Sequence, residues 1–183
     1  MKAIAALATL LLAVCASAQD AKRIAAIWSA AEDRIAQQTD VWFEDGEFPM
    51  VIQLLKVHNA LDPHDYEVAT NLGWMLENVE EWDDAIETYS RYQSLNPQDP
   101  DKALPLANYW FMKRKYEKIP PLLDTISDKA HPNSFRILAH AYERTKRLQD
   151  AESVWKRYLA LHPNDATAKV NLTRVQKKIK ESG

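Results

Sequence analysis

Residues 69–89 read ATNLGWMLENVEEWDDAIETY. Ala69, Leu72, Gly73 and Leu76 stand at i, i+3, i+4 and i+7, which sets four residues on one face of a helix. A second helical face follows at Ala85, Tyr89 and Tyr92, and Pro97 stands beyond it, where proline ends a helix at little cost. Small residues (Gly73, Ala85) alternate with large ones, as two closely packed helices require. The stretch predicts a helical hairpin.

The pattern recurs. Leu72 and Leu106 lie 34 residues apart, as do Leu76 and Trp110, Ala85 and Ile119, and Tyr89 and Leu123. The same step backwards joins Trp42 to Leu76, Leu55 to Tyr89 and Pro63 to Pro97. Forwards it becomes 32, from Leu106 to Leu138 and Trp110 to Tyr142. Four units follow one another, about 32–65, 66–99, 100–131 and 132–165, and the third is two residues short near Ser127 to Asn133. A period of this size marks stacked helical hairpins. Only 3 of 183 residues are Gly, which disfavours tight-turned strands.

These residues resemble the tetratricopeptide repeat, with its W-x2-L-G-x2-Y, A-x3-F and P signature. The second unit carries Ala69-x2-Leu72-Gly73-x2-Leu76, Ala85-x3-Tyr89 and Pro97; the fourth carries Phe135-x2-Leu138-Ala139-x2-Tyr142, Ala151-x3-Trp155 and Pro163. The first unit matches in its second half alone, and the third is degenerate. The resemblance implies an all-α, right-handed α-solenoid of about four hairpins. Ile24, Trp28, Ala31, Ile35 and Trp42 extend its first helix towards the N-terminus, Asp45-Gly46 marks the turn after it, and 166–183 form an end helix. Pro105 falls inside the first helix of unit three, so that helix either starts late or kinks.

Residues 1–18 read as a secretory signal peptide: Met1-Lys2, an apolar run from Ala3, and an Ala16-Ser17-Ala18 exit with cleavage after Ala18. The expectation is a periplasmic or secreted protein whose domain spans 19–183. A rival reading makes Cys15 a lipoprotein anchor after Leu12-Ala13-Val14, although Val14 departs from that motif. Cys15 is the single cysteine, so a chain cleaved after Ala18 has no disulfide and no thiolate chemistry.

Nothing in the sequence assembles a catalytic, metal or cofactor site. The five histidines form no H-E-x-x-H, and three glycines cannot build a phosphate-cradling loop. His64, His131 and His162 adjoin prolines in turns and read as solvated; Glu80-Glu81 and Asp83-Asp84 read as a wet acidic turn. Trp28, Trp42, Trp110 and Trp155 take core positions, and Trp74 lies off the core stripe.

The resemblance implies a concave groove lined by the first helix of each unit. Here those positions are Thr70, Asn71, Trp74, Glu77 and Asn78, then Leu104, Asn108, Phe111 and Met112, then Arg136, His140, Glu143 and Arg144. Asn71 and Asn108 suit an extended backbone, Trp74, Phe111 and Met112 offer apolar anchors, and Arg136 and Arg144 suit a carboxylate. The Lys/Asn/Arg clamp of the family's chaperone-tail binders is missing, since Thr70, Trp74 and Leu104 stand in its places. Residues 19–100 hold 17 acidic and 5 basic side chains, while 101–183 hold 9 and 17. That polarity suits self-association, a bipolar partner or an anionic membrane surface. Nucleic acid is disfavoured by the negative total. The sequence thus predicts a binding scaffold for a peptide or helix of a partner protein, with a structural subunit of an envelope assembly as the alternative.

Overall fold

The structure, a computed structural model, describes residues 2–182, with side chains from residue 19 onward. The leader reading of residues 1–18, and Cys15 with it, lies outside those side chains. All regular structure among the described residues is helical. None of these helices is long and apolar enough to cross a membrane.

The chain divides into two compact units, 1–62 and 63–183. The first is one hairpin: α1 (Lys2–Glu44) and α2 (Phe48–Leu61). Gly46 at φ +78° makes the turn that Asp45-Gly46 predicted. Val51, Ile52 and Leu55 of α2 are buried, His58 sets its ring edge-on to Trp28 of α1, and Phe43 meets Phe48 across the turn.

The second unit stacks three hairpins and an end helix. α3 (Tyr66–Asn78) pairs with α4 (Trp82–Leu95). α5 (Leu104–Met112) is followed by a 3₁₀ turn (Tyr116–Lys118) and the single-turn α6 (Pro120–Leu123). α7 (Pro132–Arg144) pairs with α8 (Leu148–Leu161), and α9 (Ala166–Ser182) closes the array. Leu76, Ile119, Phe135, Trp155 and Val175 are almost wholly buried along it. Trp28, Trp42 and Trp110, read as core, are half-buried instead.

Each hairpin turns on a residue in the left-handed region at one register: Gly46, Glu80, Arg114 and Lys146. The following amide reaches back across the turn, Glu81 N to Leu76 O, Lys115 N to Trp110 O and Arg147 N to Tyr142 O, each at 2.9 Å. These bonds satisfy carbonyls that the helix end leaves orphaned.

Pro105 resolves as a late start, in the first turn of α5. Pro120 and Pro121 have no N–H for the Tyr116 and Glu117 carbonyls, so the second helix of the third hairpin breaks into a 3₁₀ turn and α6. Ile119 and Leu123 still fill the core places that Ala85 and Tyr89 fill one hairpin earlier.

Candidate functional site

The first helices α3, α5 and α7 bury one stripe and leave another at the surface. On α3, Leu72, Gly73, Met75 and Leu76 are buried, while Trp74 between them is 49% exposed. Gly73 is required by its neighbour: a Cβ there would stand 2.1 Å from the Tyr89 ring. That ring occupies the space a Gly73 side chain would need, and its hydroxyl donates to Glu77 Oε1 at 2.8 Å. Burial first, then this bond, raises the Tyr89 pKa.

Asn71, Trp74, Asn108, Met112 and Arg144 are exposed, and Met112 is 69% so. Trp74, Asn108 and His140 share one register position; Asn78, Met112 and Arg144 share the next. The Asn78 side chain donates to the Trp74 carbonyl at 2.9 Å.

The other predicted residues lie deeper. Thr70 is half-buried. Phe111 packs edge-on against Tyr116, with centroids 5.5 Å apart. His140 is half-buried with its ring edge to Trp155 at 5.3 Å and Nδ1 3.6 Å from Glu143. Burial lowers its pKa, against the opposing pull of Glu143. Arg136 is matched internally: its guanidinium donates to Asp165 at 2.9 Å and to the Tyr158 hydroxyl at 3.1 Å.

One group escaped the sequence reading. Asp65 and Asp165 cap α3 and α9, accepting from Val68 N and Ala168 N at 2.9 Å each. Tyr158 also donates to Asp165 at 2.8 Å, and Tyr92 to Asp99 at 2.5 Å. The Ala168 amide, then Tyr158 and Arg136, hold the Asp165 carboxyl well below the usual range. Their signal was a recurring Pro-x-Asp: Pro63 to Asp65, Pro97 to Asp99 and Pro163 to Asp165. Glu143, expected to line the groove, instead binds Arg174 and Lys178 of α9.

The turn histidines also do local work. His64 Nδ1 lies 2.8 Å from Asn96 Oδ1, His131 Nδ1 accepts from Asn133 N, and the His162 ring stacks on Tyr158. Among the described residues no group of three His, Cys, Asp or Glu is placed to hold a metal ion.

Tetratricopeptide-repeat family models match residues 69–102 and 132–175. Among solved structures, MamA of AMB-1 superposes with TM-score 0.59 at 20% identity, over 80% of this chain and 81% of that one. MamA of RS-1 gives TM-score 0.55 at 16% identity, over 81% and 94%. MamA of MSR-1 gives 0.57 at 20%, over 80% and 85%. At such identities the likeness carries the helical-solenoid fold. No curated protein matches the sequence.

Proposed function

Because the chain is a tetratricopeptide-repeat protein, a scaffold that meets other proteins, we propose that its first-helix face holds a peptide segment or helix of one partner. The observation that carries this is the exposed pair Trp74 and Asn108, at one register position of α3 and α5, with Asn71 and Met112 exposed one helical turn away from them. Trp74 and Met112 supply apolar contact. Asn71 and Asn108 each offer a donor and an acceptor, the two groups that an extended backbone repeats. Arg144 adds a cation at the α7 end, whereas Arg136 serves Asp165 instead. The Ala16-Ser17-Ala18 exit favours a meeting place in the periplasm or outside the cell.

Affinity capture from the native host with the wild-type chain and with Trp74→Ala/Asn108→Ala tests the reading. The double variant is expected to lose the partner while its thermal unfolding stays nearly unchanged, since both side chains are exposed. Undiminished capture by the variant would assign binding to another surface.

A further inference from the structure

The repeats act as controls for one another. On the outer side of their second helices, the later hairpins carry Asp84 and Arg91, then Asp150 and Arg157. At the same register the first hairpin carries Met50 and Val57, 46% and 52% exposed. With Leu54 and Leu61 they form a stripe at i, i+4, i+7 and i+11 along α2. Lys56 is the one charged residue among the 14 of that helix. A helix apolar on both sides is built to be covered on both.

Leu54 continues the stripe into an open notch of about 430 Å³, shared with Ile35, Val41 and Trp42 of α1, with Arg34 and Gln38 also lining it. Val41 is 50% exposed, yet its counterparts Met75, Tyr109 and Ala141 are buried. So a surface that later hairpins cover is open on the first. Beside it, Asp33, Asp40 and Glu44 stand exposed on one line of α1.

The occupant follows from shape and charge. A 4-3-4 apolar spacing fits the ridge of one more helix. A second copy presents the same negative edge, with Lys56 alone to answer it from α2. Its α9 shows a polar outer side of Lys169, Thr173 and Lys177, with Val170 the large apolar residue exposed there. Neither offers an apolar stripe with positive edges. We propose that this face of the first hairpin docks an amphipathic helix of a separate polypeptide whose apolar stripe is edged by Lys or Arg.

The test titrates the full chain with two fluorescent helical peptides. Both carry Leu at i, i+4, i+7 and i+11; one has Lys edges, its twin Glu edges. The Lys-edged peptide is expected to bind at least ~10-fold tighter, with the preference fading in salt. Met50→Asp/Val57→Arg, which writes the later hairpins' residues into the first, should abolish binding with the unfolding midpoint kept. Val41→Asp serves the same purpose should that pair fail to fold. Asp33→Lys/Asp40→Lys/Glu44→Lys should reverse the preference, and Trp74→Ala should change nothing, which separates this surface from the first-helix face. Equal binding of the twins, no binding of either, or binding that survives loss of the stripe overturns the proposal. A wild-type dimer that Met50→Asp/Val57→Arg converts to monomer overturns it too, in favour of a second copy.

Discussion

Glu143 of α7 grips Arg174 of α9 with both oxygens, at 3.0 and 2.6 Å, and Lys178 joins the first oxygen at 2.7 Å. Burial pushes the Glu143 pKa up, but Arg174 and Lys178 outweigh it and hold the carboxyl at about 2, below its ordinary 4.5. A carboxylate whose folded pKa is depressed stabilises the fold above its unfolded pKa. That contribution fades as pH falls from about 4.5 towards about 2. Discounted for the exposed ends of its partners, it is on the order of 1–2 kcal/mol.

Glu143→Gln should therefore lower the thermal midpoint at pH 7 and flatten its decline between pH 5 and pH 2.5. It should also speed amide exchange in α9 while α3 and α4 stay protected. Exchange that rises equally in every helix would show that the ion pair does not act locally.

Gly73 and the Tyr89 ring are built around each other, with 2.1 Å between the ring and a would-be Cβ. Gly73→Ala is expected to cost about 1–3 kcal/mol in urea unfolding, although alanine favours helix. Adding Tyr89→Leu, the residue that position 123 holds in the next hairpin, should recover part of the loss. A fully additive double variant would deny the contact.

Glu80 and Lys146 sit at φ 64° and 62°, where a side chain is strained and glycine is not. Glu80→Gly and Lys146→Gly should each stabilise by about 0.5–1 kcal/mol, and Gly46→Ala should destabilise by a similar amount. Denaturant midpoints that move the other way would contradict the shared turn geometry.

The period, the hairpins and most of the buried stripe could be read in advance, because Leu72, Leu106 and Leu138 recur at a step that only stacked hairpins use. Arg136 shows where such reading stops. Its register placed it on the first-helix face, but Asp165, 29 residues away, claims its charge, and only the Pro-x-Asp recurrence hints at that carboxylate. His140 was hidden for a related reason: its exposure depends on Trp155 from another helix, which spacing within α7 does not reveal. The exposure of Trp74 and Met112 was legible because Leu72 and Leu76 on α3, and Leu106 and Tyr109 on α5, take the buried stripe.

Trp74 tests the central claim most directly. A photoreactive residue placed there, and a second at Ser90 on the exposed side of α4, would be crosslinked in the native host. The account predicts one dominant protein adduct at position 74 that Asn108→Ala abolishes, and none at position 90. An adduct as strong from position 90, or one from 74 indifferent to Asn108, would contradict it.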